Sequence, residues 1–273
     1  MPRIPDQLQR SVVYLYPNAE AARTGSGVGG TGFFVALRDE HSAEPFQYLI
    51  TNIHVAQTAN RIVRINTTDG AVETIEVPSS AWVNHLEGDD IAAAPLTLQP
   101  NWAVTALDWS ALEVTSSKMS ELNMGVGDEV FMLGRFISHG SLQLNQPLAR
   151  FGNIAMMPGE LVKDGRNLLV EAFLVEMRSL SGFSGSPVFV HMGPGTYRGN
   201  GTMMPFYTET IGLIGIDTGH KAVMAEVRQK RDGAKLDLEV PLNTGISIVA
   251  PVWKIREVLN EAIRKAKHMH PQH

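Results

Sequence analysis

Three short segments of this sequence bring together side-chain types able to carry out acyl transfer. The first, Tyr48-Leu49-Ile50-Thr51-Asn52-Ile53-His54-Val55, runs an apolar strand into a histidine. The second, Gly88-Asp89-Asp90-Ile91-Ala92-Ala93-Ala94-Pro95-Leu96, leads an acid from a turn into an apolar strand. The third, Ser181-Gly182-Phe183-Ser184-Gly185-Ser186-Pro187-Val188-Phe189, holds a serine in a glycine turn ahead of a strand. A serine hydroxyl needs a base to take its proton and a buried acid to orient that base. It also needs backbone N–H groups aimed at the oxygen on which charge develops. Gly182 and Gly185, on either side of Ser184, let the backbone turn sharply and leave such N–H groups uncovered. Asp89 and Asp90 compete for the acid's place, and Asp90 is preferred because it directly precedes Ile91-Ala92.

Positioning three such groups requires a framework, and the sequence around them reads as strands. Short β-branched or aromatic runs recur at Ser11–Tyr16, Gly32–Leu37, Gln47–Thr51, Arg61–Ile65 and Val72–Val77. They continue at Glu129–Leu133, Leu168–Val175, Pro187–His191, Thr210–Ile216 and Gly245–Ala250. Strands of this length, punctuated by Gly, Asn, Asp and Pro, predict an all-β sandwich or barrel. One helix is predicted, over Val252–Lys267: Val252, Ile255, Val258, Leu259 and Ile263 keep the helical period, behind Pro251. The stretch Leu98–Met124 breaks the strand rhythm and reads as a connection between two β-rich halves. Met192–Tyr207, rich in Gly and Pro, reads as an extended hairpin tip.

Composition narrows the field. The chain has 273 residues, 44% of them hydrophobic and 19% charged, enough apolar content for a large core and too much for disorder. A net charge of -5 gives no electrostatic case for nucleic acid. The absence of cysteine excludes a disulfide framework, a thiolate zinc site and a cysteine nucleophile. No run of about 18 apolar residues is present, so no membrane span is expected. The opening Met1-Pro2-Arg3-Ile4-Pro5-Asp6 lacks the apolar core of a secretory signal, and a cytoplasmic location is expected.

Other motifs have blander explanations. Gly25-Ser26-Gly27-Val28-Gly29-Gly30 matches a dinucleotide-binding fingerprint, but a strand rather than a helix follows it. Gly182-Phe183-Ser184 suggests a hydrolase nucleophile elbow, yet Ser186 stands where that motif needs glycine. That arrangement would also need its acid and histidine after the serine, from Asp217 or Asp232 with His220 or His268. His268, His270 and His273 read as a frayed tail.

Taken together, the residues resemble the chymotrypsin-fold (trypsin-like) serine peptidases. The nearest branch is the cysteine-free bacterial one that includes the high-temperature-requirement proteases. The resemblance rests on Thr51-Asn52-Ile53-His54-Val55, Asp90-Ile91-Ala92 and Gly182-Phe183-Ser184-Gly185-Ser186-Pro187, in that order. Gly32-Phe33-Phe34-Val35 and Ile214-Gly215-Ile216 add to it, and it covers roughly Ser11 to Lys267. It implies two six-stranded antiparallel β-barrels, residues 1–115 and 116–273, with the site between them and a C-terminal helix.

The resemblance also implies roles. Ser184 is the nucleophile, His54 the base and then the acid, and Asp90 the orienting carboxylate. The N–H groups of Gly182 and Ser184 form the oxyanion hole, and Gly215, Ile216 and Asp217 offer a strand edge to an extended substrate. Arg178, six residues before Ser184, stands where the family places the floor of the specificity pocket. It would favour an acidic substrate residue there, unless it turns away to pair with Glu176 or Asp217. Phe183 replaces the acid that pairs with a new N-terminus in zymogen activation, so that route is not expected.

The expected function is hydrolysis of peptide bonds in a protein or peptide substrate, through an acyl-enzyme and without metal or cofactor. A regulator or activator is a possible further partner; nucleic acid and membrane are not expected. A catalytically silent module that binds peptides on the same fold is the main alternative, and a serine esterase the lesser one.

Overall fold

The computed structural model describes residues 3–27, 29–38, 45–57, 62–136, 143–195, 197–198, 203–204, 209–229, 231 and 235–269. Val28, Asp232, His270, His273 and much of the predicted 192–207 hairpin tip lie outside these. The chain is mostly β, because its β-branched and aromatic runs bury alternate or continuous faces against one another.

The first sheet is built from β1 (Val12–Tyr16), β2 (Gly30–Leu37), β3 (Phe46–Thr51), β4 (Ile62–Asn66), β5 (Val72–Glu76), β6 (Val83–Asn84), β7 (Ala92–Pro95) and β8 (Leu107–Asp108). Its order is β5-β4-β1-β2-β3-β7-β6, with β8 running parallel to β2. The second group is β9 (Glu129–Gly134), β10 (Leu148–Met156), β11 (Leu161–Lys163), β12 (Leu169–Glu171), β13 (Phe173–Glu176), β14 (Pro187–Met192), β15 (Thr210–Arg228) and β16 (Lys235–Pro251). Six of these pair in the order β10-β13-β16-β15-β14-β9, and β9 pairs back to β10, so the path returns to its start. β11 and β12 form a separate hairpin.

The expectation of two six-stranded barrels therefore needs correction for the first half. That sheet has eight strands, and its end strands β5 and β6 do not pair with each other among the described residues. Leu168–Val175 is not one strand either: it divides into β12 and β13 around the buried Ala172. β10 escapes sequence reading because Arg150, Gly152 and Asn153 interrupt its apolar pattern and a bulge follows at Ile154/Met156.

Among the described residues six α-helices complete the fold: α1 (Asp6–Arg10), α2 (Ala19–Thr24), α3 (Ile53–Gln57), α4 (Trp109–Leu112), α5 (Ser116–Glu121) and α6 (Val252–Met269). Gly25 ends α2 in the left-handed region, so the glycine-rich segment terminates one helix and leads into β2 instead of opening a second. α6 begins at Val252 as the sequence predicts. Val252, Ile255, Val258 and Leu259 sink into a core shared with Phe33 of β2, Phe131 of β9 and Phe189 of β14. The helix thus locks the two sheets together through side chains that are at most 1% exposed. None of the described helices is long and apolar enough to cross a membrane.

Candidate active site

His54 and Asp90 meet because two strands of the first sheet end side by side. β3 and β7 pair with Thr51 opposite Ala92. The chain leaving β3 turns into the short helix α3, whose first turn is closed by Val55 and Ala56 amides donating to the Asn52 carbonyl. Asn52 Nδ2 in turn donates to the Asp90 carbonyl at 2.7 Å, tying the two strand ends together. Asp90 is buried, and its carboxylate accepts twice from His54. The backbone amide reaches Oδ1 at 3.1 Å, and ring Nδ1 reaches Oδ2 at 2.5 Å. A carboxylate facing Nδ1 fixes the tautomer with hydrogen there, which leaves the lone pair of the neutral ring on Nε2. The His54 side chain is 46% exposed, so the ring faces the surface while its partner is only 6% exposed.

Ser184 sits between two consecutive tight turns. Phe183 N–H donates to the Leu180 carbonyl at 3.0 Å, and Ser186 N–H to the Phe183 carbonyl at 2.8 Å. Each turn has a glycine at its third position with positive φ, 98° at Gly182 and 88° at Gly185. A side chain would be strained at either. At Gly185 a Cβ would also stand 2.0 Å from the Thr31 carbonyl oxygen. Phe183 is fully buried in the core of the second sheet and anchors the loop by packing. Arg150 lies over its ring at 5.5 Å. The amides of Gly182 and Ser184 meet no acceptor among the described residues, and both lie on the same stretch of turn. The Ser184 hydroxyl likewise makes no hydrogen bond among the described residues, so the serine–histidine link is not formed here.

What brings the serine turn to the histidine is β2, through a residue that sequence reading passed over. Thr31 donates its amide to the Ser184 carbonyl at 2.9 Å and its hydroxyl to the Gly182 carbonyl at 2.7 Å. Its own carbonyl accepts the Thr51 hydroxyl at 2.7 Å, one strand from His54. The only sequence signal for this role was the glycine on each side of Thr31, a mark of close backbone approach.

The remaining expected site residues need correction. Arg178 is exposed and makes no ion pair among the described residues, with either Glu176 or Asp217. The buried place belongs to its neighbour Ser179, whose hydroxyl donates to Asp217 Oδ2 at 2.7 Å. Gly215 and Ile216 are flanked on both sides, by β14 and by β16, so they present no open edge. Asp217 is fully buried. Its amide donates to the Ser186 carbonyl and its carbonyl accepts from Gly185 N–H, both at 2.9 Å. Burial pushes its carboxyl up to about 8, and Oδ1 has no hydrogen-bond partner among the described residues. The pairing of β15 with β14 ends at Ile216, so the open edge starts at Thr218-Gly219-His220, and Thr218 lines a small crevice together with Asp90.

No protein-family model matches the sequence, and no curated protein matches it. Among solved structures, the chain is similar to Deg5, at 17% identity over 78% of this chain and 81% of the other, with a TM-score of 0.45. It is similar to the active form of the Rv3671c protease from M. tuberculosis, at 17% identity over 93% and 82%, TM-score 0.48. It is also similar to the HtrA-type protease AlgW solved with a decapeptide, at 14% identity over 95% and 66%, TM-score 0.49. At this distance the site has to be judged on its own geometry.

Proposed function

We propose that this chain is a serine endopeptidase of the chymotrypsin-like kind, with residues 1–115 contributing His54 and Asp90 and residues 116–273 contributing Ser184. One observation carries the reading. A buried carboxylate orients a half-exposed imidazole beside a glycine turn that presents a serine and two amides without acceptors. Such amides on a buried turn are costly unless an acceptor arrives, and an oxyanion is such an acceptor.

In the proposed reaction His54 Nε2 takes the Ser184 hydroxyl proton as Oγ bonds to the substrate carbonyl carbon. The carbonyl oxygen becomes an oxyanion held by the amides of Gly182 and Ser184. Asp90 stabilises the imidazolium through Nδ1. His54 then hands its proton to the departing amine, and water repeats the sequence on the acyl-enzyme. The hydroxyl–imidazole bond, open in this structure, closes as substrate seats; such bonds tighten in the bound complex. The substrate is a protein or peptide in extended form, added along the edge of β15 from Thr218 onward.

The test is a serine-reactive aryl phosphonate followed by mass spectrometry. Modification confined to Ser184, and abolished in Ser184→Ala, supports the proposal. Modification elsewhere, or none in folded protein, overturns it. Peptide binding without any labelling would instead identify a silent peptide-binding module. Labelling that survives His54→Ala would point to the esterase arrangement.

A further inference from the structure

Beyond the site, β15 and β16 continue as a two-stranded arm that no third strand joins among the described residues. The sequence predicted strands only to Ile216 and from Gly245, whereas pairing persists out to Arg228 and Lys235. Along the arm the sequence Leu236-Asp237-Leu238-Glu239-Val240-Pro241-Leu242 alternates apolar and polar residues, the pattern of a strand with one buried face. Val223 lies opposite Leu242 and Ala225 opposite Val240, so both strands give their apolar residues to the same face. Yet Val223, Leu236, Leu238, Val240 and Leu242 are between 37% and 62% exposed. An isolated two-stranded ribbon is marginal in water, and this one carries a face that none of the described residues covers.

We propose that this face is covered by the same face of a second copy of the chain, two ribbons packing sheet on sheet about a two-fold axis. Width argues for it: a single extended peptide would cover one strand of the ribbon, whereas an identical ribbon covers both. Area argues for it as well. Burying these side chains and their backbone on two copies removes on the order of 1,000 Å² from water, the lower bound for a specific interface. A self-complementary patch is what a two-fold pair requires. The opposite face carries Arg228 and Lys235 against Glu226, Asp237 and Glu239, without the single-sign charge that an anionic bilayer attracts.

The test exploits the absence of cysteine from the chain. Sedimentation of the full chain at tens of micromolar should show a dimer. Leu238→Asp with Val240→Asp should return it to a monomer with unchanged circular dichroism and a melting temperature that no longer depends on protein concentration, because the arm lies outside the core. Val240→Cys should cross-link two copies with a short bis-maleimide, while Glu239→Cys, on the other face, should not. A wild-type monomer, a dimer indifferent to the double variant, or equal cross-linking from both faces would overturn the proposal. So would flotation of the wild type on anionic vesicles that the double variant abolishes. None of these readouts uses catalytic activity, so they stand apart from the assignment of the site.

Discussion

The amide of Thr31 donates to the carbonyl of Ser184 across 2.9 Å, a contact from β2 of the first sheet to the serine turn of the second. The Thr31 hydroxyl adds a bond to the Gly182 carbonyl and accepts one from the Arg135 amide at 2.9 Å. Two peptide units of the turn are therefore oriented by one buried threonine. The N–H groups of those same units, on Phe183 and Gly185, donate to Leu180 and Asp217, while the amides of Gly182 and Ser184 in the alternate units meet no acceptor among the described residues.

Thr31→Val, nearly the same shape without the hydroxyl, should leave the Gly182 carbonyl and the Arg135 amide unpaired. Each such buried group costs roughly 1–3 kcal/mol. Denaturant unfolding should show that loss, and Ser184 should react more slowly with the phosphonate. Thr31→Ser should restore most of both. Valine behaving like wild type would show that the turn orients itself.

Gly30, the residue before it, lies between Val55 of α3 and the Ser184 turn. A Cβ at this position would stand 2.6 Å from the Val55 methyl groups and 3.1 Å from the Ser184 carbonyl oxygen. Gly30→Ala should thus push α3, with His54, away from the serine turn. A displacement of about 1 Å costs on the order of 10²-fold in rate. The expected outcome is a loss of that size in phosphonate labelling, with far-ultraviolet circular dichroism retained. Labelling at the wild-type rate would mean that His54 and Ser184 do not work together.

Asp90→Asn separates orientation from charge. Asp90 accepts from both the amide and ring Nδ1 of His54, roles that an asparagine oxygen can fill only in part. An amide NH₂ turned toward the ring favours the tautomer with its proton on Nε2, where a base cannot receive one. The expected loss is about 10⁴-fold in turnover at neutral pH, with the fold intact. A loss of less than tenfold would remove Asp90 from the proposed triad.

Asp90, His54 and Ser184 of the proposed triad were legible as candidates in the sequence because each stands in a short motif beside an apolar strand. α6 was legible because its apolar residues keep one period over several turns. Thr31 was not, since its importance comes from what crosses it in space, and a threonine in a strand looks like any other. For Arg178 the sequence left two orientations open, because position in the chain does not say which way a side chain turns; Arg178 is exposed, and the buried contact to Asp217 belongs to its neutral neighbour Ser179. Gly215 and Ile216 were taken for an edge because pairing partners are invisible in one strand's own sequence. The arm was missed because the polar run Asp217–Lys221 and Asn243-Thr244-Gly245 look like strand ends.

Asp217 gives the fold a dependence on pH whose sign can be worked out. Burial pushes its carboxyl up to about 8 in the folded protein, from the ordinary 3.8. Between those values the folded state holds a proton that the unfolded state has lost. Unfolding then releases a proton, so stability falls as pH rises from about 4 to about 8. Asp217→Asn keeps an acceptor for the Ser179 hydroxyl and has no proton to lose. The melting temperature of the variant relative to wild type should therefore climb steadily across that range. Because the Asp217 backbone also brackets Gly185 and Ser186, the wild-type serine turn should loosen over the same range. Hydrogen exchange of the Gly185 and Asp217 amides reads this directly. A constant difference in melting temperature from pH 4 to 8 would show that Asp217 is ionised in the folded protein and refute the account.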